Sequence, residues 1–234
     1  MPATLINAAL VLLGSAIGLI FKNRINEKLT QRITCVLGLV VMVIGISGAV
    51  ETENVLCMIV CLVLGTLLGE WMKIEDRLDS AGELLRRRFA KSGETRFTEG
   101  FVSATVLFCV GSMAIMGSLE AGINNDYTLL ISKGVIDGVT SITFAAAMGI
   151  GVIFSVVPMC IYQGGLTALA VVAAPYLSDA VVTEISAVGS VIIIGIAINM
   201  LELAPQKLKV GNMLPSVFLP LIYIPLVNWL SGLL

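Results

Sequence analysis

The sequence predicts an all-α membrane protein, a polytopic bundle of about eight transmembrane helices that forms one integral membrane domain over residues 1–234. Three observations support this fold class. The 234 residues are 57% hydrophobic and only 13% charged, whereas soluble domains carry about 25% charged residues. The mean hydropathy is +1.00. The apolar runs have lengths close to the roughly 20 residues that cross a hydrocarbon core of ~30 Å.

Eight apolar runs supply the predicted helices in chain order. They cover residues 3–21, 33–50, 55–71, 100–119, 127–147, 149–174, 185–204 and 213–234. The first run has no basic residue before it and is followed by Lys22 and Arg24. This pattern is typical of a retained first helix rather than a cleavable signal peptide.

The junction between the fifth and sixth runs allows two interpretations. Residues 138–174 carry no charge and are too many for one helix. A turn at Gly149 and Gly151 would divide them, because glycine adopts backbone angles that other residues avoid, and Pro158 would interrupt the helix that follows. An apolar turn at membrane depth must be shielded by protein or line a cavity. A broken or re-entrant segment, which leaves seven spans, is the alternative.

The basic residues predict the orientation of the bundle. Thirteen of the fourteen Lys and Arg residues fall in segments 22–32, 72–99 and 205–209. The charged residues of the loops on the opposite side are all acidic, namely Glu51, Glu53, Glu120, Asp126, Asp179 and Glu184. By the positive-inside rule, the three basic segments are cytoplasmic and both chain termini lie outside.

Segment 72–99 is predicted to form a cytoplasmic amphipathic helix on the membrane surface. Apolar residues recur on one face at helical spacing, namely Ile74, Leu78, Ala81, Leu85 and Phe89. Three arginines near its end, Arg86, Arg87 and Arg88, are expected to contact anionic lipid headgroups. Docking of a regulatory partner is the other role that this segment allows.

Two glycine motifs suggest an internal repeat. Residues 13–18 read LGSAIG and residues 64–69 read LGTLLG, and a lysine follows each at the same distance. Both helices run from outside to inside, so a duplication would be parallel. Two independently close-packed helices would give the same pattern, since small residues at this spacing are common in membrane helix contacts. A homo-oligomer is also compatible with the sequence.

The fourteenth basic residue lies inside a predicted span. Lys133 and Asp137 are four residues apart in the fifth run, so they share a helix face and can pair. A charge at the centre of a span costs roughly 2.5–3.5 kcal/mol on insertion scales. At ~1.5 Å per residue, Asp137 lies near the bilayer midplane. The pair is either a binding site for a solute or ion, or a structural ion pair.

Other polar residues lie in other spans and are candidates for the same site. They are Ser112 in the fourth run, Gln163 in the sixth and Asn199 in the seventh. Gln163 precedes Gly164 and Gly165, and paired glycines can unwind a helix as at transporter binding sites. Gln163 can equally form a plain hydrogen bond between helices. Asn212 is predicted to cap the eighth helix.

The composition argues against enzyme chemistry. The chain has no histidine, and therefore lacks the commonest metal ligand and general base. The five cysteines lie in apolar runs and are predicted to be small buried hydrophobes. We therefore expect no catalytic site, no metal, no cofactor and no nucleic-acid partner.

Several motifs along the chain are distinctive. They are TLIN at 4–7, GSMAIMGS at 111–118, Asp126-Tyr127, Lys133 with Asp137-Gly138, GIGV at 149–152, IYQG at 161–164 and VGNMLP at 210–215. Together they resemble the YdfK/YqgA family of uncharacterised bacterial inner-membrane proteins, over essentially the whole chain. The resemblance implies a multi-pass protein of the bacterial cytoplasmic membrane. It implies no substrate and no mechanism.

Two functions are compatible with these features. The first is a small secondary transporter or channel-like carrier of a small solute or ion, in which Asp137 is the coupling carboxylate and Lys133 binds an anionic group. The second is a membrane scaffold or accessory subunit that acts through segment 72–99 without transporting anything.

Overall fold

The computed structural model describes residues 2–22, 27–77, 80, 84, 96–110 and 112–231, and within them it contains helices and no β-strand. The α-helices are α1 Pro2–Lys22, α2 Glu27–Ala49, α3 Val55–Met72, α4 Phe97–Cys109, α5 Ser112–Ile123, α6 Thr128–Met148, α7 Gly151–Phe154, α8 Val156–Ala168, α9 Ala170–Ala173, α10 Asp179–Met200 and α11 Pro220–Ser231. Two 3₁₀ helices cover Ala174–Tyr176 and Val210–Phe218.

The helices provide six to eight membrane crossings in the described part of the chain. Six helical stretches are long and apolar enough to cross on their own, namely α1, most of α2, α3, α6, α7 with α8, and α10. Two further pairs cross if each bent pair is one span. The pair α4 and α5 is bent by 57°, and the 3₁₀ helix Val210–Phe218 with α11 is bent by 41°. The predicted all-α polytopic bundle is confirmed.

Two predicted spans were wrong in their shape. The fourth run is not one straight helix, because Val110 adopts an extended conformation (φ −84°, ψ 142°) between α4 and α5. The eighth run begins as a 3₁₀ helix, and its α-helix starts only at Pro220. Pro215 lies inside the 3₁₀ helix, and since proline has no amide proton it disfavours an α-helical ladder there.

The fifth and sixth runs are separated by a tight turn. Helix α6 ends at Met148, and Gly149 has a φ of 87°, which few residues other than glycine adopt. The turn is shielded, because Met148 is buried and Gly151 packs on the backbone of Phe97 at the start of α4. The start of α6 and the end of α8 both pack on α5, at Gly117 and Gly122 respectively. The chain therefore returns to the end from which α6 began.

A second interruption follows the turn, but it does not lie at Pro158, Gly164 or Gly165. The helix is interrupted at Ser155, between α7 and α8. Pro158 follows in the first turn of α8, where a residue without an amide proton is tolerated. The expected break at Gly164 and Gly165 is wrong, because both lie inside α8, which continues to Ala168.

Contacts between the loops define two ends of the bundle. At one end, the Glu184 carboxylate accepts hydrogen bonds from the α2–α3 loop. We call this the acidic end, formed by residues 50–54, 124–127 and 177–184. At the other end, Lys207 pairs with Glu99 at 3.1 Å and Lys209 pairs with Asp76 at 3.9 Å. We call this the basic end, formed by residues 73–77, 96–99 and 201–209.

The two glycine motifs make similar contacts with differently oriented partners. Gly14 and Gly18 of α1 lie against the backbone of α6, which runs parallel to α1. Gly65 and Gly69 of α3 lie against the 3₁₀ helix Val210–Phe218, which runs antiparallel to α3. Because the partners have opposite directions, the two surroundings are not copies of one another.

Segment 72–99 is described only at its ends and at two positions between them. Residues 74–77 are helical, but Leu78, Ala81, Leu85, Phe89 and the three arginines Arg86, Arg87 and Arg88 lie outside the described residues. The prediction for Asn212 was wrong, because it lies inside a 3₁₀ helix rather than at a cap. Its Oδ1 accepts a hydrogen bond of 2.7 Å from the Glu75 amide, which ties the start of the segment to the bundle.

Candidate functional site

Lys133 and Asp137 form an ion pair inside the bundle. They occupy the second and third turns of α6, and the ammonium of Lys133 donates a hydrogen bond to Oδ2 of Asp137. Lys133 is 5% exposed and Asp137 is 6% exposed. Their spacing of four residues puts both on one helix face, so local helix geometry alone brings them together.

Asn7 of α1 extends the ion pair to two more helices. Its Nδ2 donates to Oδ2 of Asp137 at 3.2 Å and to Oε1 of Gln163 at 3.1 Å. Asn7 and Gln163 are fully buried. The four side chains form a polar cluster, which we call the central cluster, from α1, α6 and α8. Both donors to Asp137 reach the same oxygen, Oδ2.

Close packing of α1 on α6 holds Asn7 at this position. A Cβ atom at Gly14 would collide with the carbonyl oxygen of Gly138 and with the hydroxyl of Ser141. The Ser141 hydroxyl donates to the carbonyl of Gly138 at 2.7 Å and lies 3.1 Å from that of Val11. The absence of a side chain at Gly14 therefore lets the two backbones approach one turn below Asp137.

The ion pair lines a cavity of about 280 Å³, which we call the acidic-end cavity. Its polar wall consists of Glu51, Lys133, Asp137, Thr140, Ser186 and Ser190. Its apolar wall includes Phe108 and Met113, on the two sides of the break between α4 and α5. Glu51 belongs to the α2–α3 loop, so the cavity reaches the acidic end. Ile44 of α2 and Ile136 of α6 line it and are also exposed at the surface of the bundle.

The structure separates Asn199 from the central cluster. Asn199 lies at the end of α10, where its side chain exchanges hydrogen bonds of 2.8 and 2.9 Å with the backbone of Leu208. It lines a second cavity of about 390 Å³ at the basic end, with Glu99, Lys207 and Lys209 among the other lining residues. The prediction that it shares a site with Lys133 was wrong. A local sequence pattern does not show which residues of two different helices lie close together.

Ser112 begins α5 next to the acidic-end cavity. Its side chain lies outside the described residues, but its neighbours Met113 and Ala114 line the cavity. Gln163 is the remaining predicted site residue, and it contacts Asn7 rather than the cavity.

Asn7 and Glu184 are buried polar residues that were not predicted from the sequence as part of the interior. Asn7 shares one face of α1 with Val11, Gly14 and Gly18, and a lone polar residue in phase with two glycines is a usable signal of a close polar contact. Glu184 was assigned to a loop, but it is 2% exposed. Its Oε1 accepts from the amides of Glu53 and Asn54, at 2.8 and 2.9 Å, and Thr52 donates to Oε2 at 2.8 Å.

Comparisons with known proteins place this architecture in a family. Residues 2–225 match the family described as "Protein of unknown function (DUF554)". The chain is 30% identical over 232 residues to the uncharacterized membrane protein YdfK of Bacillus subtilis (strain 168), and the alignment covers 97% of each chain. It is 31% identical over 218 residues to the uncharacterized protein YqgA of Escherichia coli (strain K12), and this alignment covers 92% of each chain.

No solved structure matches the chain. The family match and the two relatives confirm the resemblance that the sequence motifs carried. The apolar helices that form the bundle agree with the description of YdfK as a membrane protein. The chain is therefore a multi-pass membrane protein of the DUF554 family.

Proposed function

We propose that the chain is a small secondary transporter, or a channel-like carrier, of a small solute or ion in the bacterial cytoplasmic membrane. The observation that carries this proposal is the position of the Lys133–Asp137 pair in the wall of the acidic-end cavity. Ionisable residues within a membrane span are costly, and they are retained where they line pathways for ions or solutes. A purely structural pair has no need of an adjoining cavity.

In this proposal the ion pair opens and closes with each transport cycle. Asp137 takes up a proton or another cation, which releases Lys133 from its partner. Lys133 then binds an anionic group of the solute, since a free ammonium in a site of low polarity attracts the nearest negative charge. Release of the cation restores the pair and expels the anionic group.

The two cavities support access from alternate sides. The acidic-end cavity extends to Leu107 and Ile193, and the basic-end cavity extends to Val102 and Asn199. Between them on the same helices lie Val106 of α4 and Ile196 of α10, each 2% exposed. At ~1.5 Å per residue this layer is about 7.5–9 Å thick. A shift of between one and two helical turns, each about 5.4 Å, would span it and connect the site to the other end.

Flux measurements in proteoliposomes test the proposal. The purified chain is reconstituted, and the uptake of radiolabelled small carboxylates, chloride, sodium and potassium is measured with and without a pH gradient. We expect at least one solute to show an uptake that Asp137→Asn reduces at least tenfold, while the control Thr143→Val, at an exposed position of the same helix, leaves it unchanged. Equal uptake by wild type and Asp137→Asn for every solute would contradict the proposal.

A further inference from the structure

Four polar side chains between α1 and α8 bury atoms that have no hydrogen-bond partner among the described residues. The atoms are Thr4 Oγ1, Asn7 Oδ1, Gln163 Nε2 and Thr167 Oγ1. None of the four residues is more than 8% exposed. Buried polar atoms in native proteins are almost always paired with protein or with ordered water. Two of these atoms belong to side chains in direct contact, Asn7 and Gln163, and the other two lie one turn away on the same two helices, so together they point to a bound species.

The four residues lie on two neighbouring helices, and one of them, Asn7, contacts Asp137. Asn7 contacts both Asp137 and Gln163. Helix α1 runs parallel to α6 and α8 runs back along it, so α1 and α8 are antiparallel. Thr4, one turn before Asn7, and Thr167, one turn after Gln163, thus both lie one turn nearer the acidic end. We call these four residues the α1–α8 seam.

The chemistry of the seam fits water better than an ion. Asn7 presents an unpaired acceptor, Gln163 an unpaired donor, and each threonine a hydroxyl that can do both. Exchanging the oxygen and nitrogen of both amides still leaves one donor and one acceptor unpaired. A cation would be repelled by the Gln163 amide nitrogen, and an anion by the Asn7 oxygen. Water both donates and accepts, and it is the usual occupant of such buried sites.

We infer that the α1–α8 seam holds a row of bound water molecules that carries protons between the acidic end and Asp137. The proton is then the coupling ion of the proposed transport, and the inference rests on that proposed function. A proton enters from hydronium at the acidic end and passes along the row as each water forms one O–H bond and breaks another. The last water protonates the Asp137 carboxylate, and the reverse sequence returns the proton. No electrons are transferred.

The seam gives the proton a route that is separate from the solute cavity. The groups around Asp137 that can titrate are Lys133 on the same helix, Cys109 of α4, which interacts electrostatically with both, and Glu51 at the cavity rim. The contacts from α1 and α8 come from Asn7 and Gln163, which do not titrate. The residues of α10 that line the cavity include Ser186 and Ser190, which do not titrate either. A proton on the seam side therefore meets no competing acceptor before Asp137.

Proton uptake by sealed proteoliposomes tests the inference. Vesicles that enclose a pH-sensitive dye are placed in a more acidic medium that contains small carboxylates and chloride, with valinomycin and equal potassium on both sides, and the initial rate of acidification is measured. We expect Asp137→Asn to abolish the protein-dependent rate. The double variant Thr4→Val/Thr167→Val should reduce it at least tenfold, because valine has the shape of threonine without the hydroxyl. The control Thr143→Val should retain the wild-type rate.

Thermal unfolding in detergent gives a second readout that needs no flux. If water fills the seam, Thr4→Val/Thr167→Val removes its partners and lowers the Tm. If the seam is dry, replacing unpaired buried hydroxyls by methyl groups raises the Tm. A raised Tm overturns the inference.

The flux outcomes separate the two proposals. An Asp137-dependent proton rate that the double valine variant leaves intact overturns the seam and keeps the transporter. An Asp137-dependent flux of sodium or potassium without proton uptake does the same. The absence of any Asp137-dependent flux overturns both proposals. A tenfold loss in the double variant together with a lowered Tm supports both.

Discussion

At the scale of single residues, the ion pair can be structural, functional or both, and its energetics differ from those of a surface pair. Removing one partner of a buried pair leaves an uncompensated charge, which typically costs 3–5 kcal/mol, whereas replacing both partners by apolar residues is often neutral. Lys133 and Asp137 are almost completely buried, so we expect their substitutions to follow the pattern of a buried pair.

This difference predicts a non-additive pair of substitutions. We expect Lys133→Met to destabilise the fold by about 3 kcal/mol, because Asp137 loses its partner, and Lys133→Met/Asp137→Leu to be more stable than Lys133→Met alone. Thermal unfolding in detergent measures both, with Ile136→Met on the exposed face of the same helix as the control. Strictly additive losses would show that the two charges do not interact.

The residues of the central cluster were predictable to different degrees. Lys133 and Asp137 could be predicted because a spacing of four fixes their contact within one helix. The partner of Asn7 could not, because its hydrogen bond to Asp137 joins positions 130 residues apart, and no local pattern states which helices are neighbours. Asn199 was misplaced for the same reason, since depth along a helix does not reveal which cavity its side chain faces.

At the scale of helices, the approach of α1 to α6 depends on Gly14. We expect Gly14→Ala to destabilise the fold by about 1–3 kcal/mol, because the added methyl group meets backbone that must move. Gly165 provides a matched control, because a Cβ atom there meets nothing within 4 Å. Gly165→Ala should leave the Tm unchanged or raise it, since alanine favours helix more than glycine does. Equal losses at both positions would contradict this packing.

The entry into α3 depends on Glu184. Its carboxylate accepts from two successive loop amides and from Thr52. We expect Glu184→Leu to accelerate amide hydrogen exchange at residues 53 and 54 by about 10–100-fold, since hydrogen bonds to charged groups contribute about 1.5–3 kcal/mol. Asp179→Leu, at an exposed position one turn earlier, is the control. Unchanged exchange in Glu184→Leu would show that the loop is held by other contacts.

Helix lengths were more predictable than helix bends. Runs of apolar residues report how much chain the membrane can hold, and six of the eight runs correspond to helices long enough to cross alone. The break at Val110 has no proline and no charge beside it. A glycine follows it in the sequence, which permits a bend without fixing one. Val110 lies against Gly189 of α10, a contact with a neighbour that is distant in sequence.

At the scale of the whole molecule, the charge asymmetry predicts the orientation. The acidic end should face outside and the basic end the cytoplasm, with both chain termini outside. A C-terminal alkaline phosphatase fusion should therefore be active and a C-terminal green fluorescent protein fusion dark. Fusions made after residue 209 should give the opposite pair of results. A fluorescent C-terminal fusion would show that the bundle has the opposite orientation, in which the acidic-end cavity lies at the cytoplasmic side.

The central claim is that the acidic-end cavity beside Lys133 and Asp137 is an aqueous transport pathway. Its most direct test is the labelling rate of a cysteine at Thr140, in the cavity wall, by a membrane-impermeant thiol reagent added outside cells, in a background without the five native cysteines. Val139→Cys, on the adjacent lipid-facing position, is the control. If the cavity is an aqueous transport pathway, Thr140→Cys labels at least tenfold faster than Val139→Cys, and labelling blocks flux. Labelling no faster than at Val139→Cys, or labelling that leaves flux intact, would contradict it.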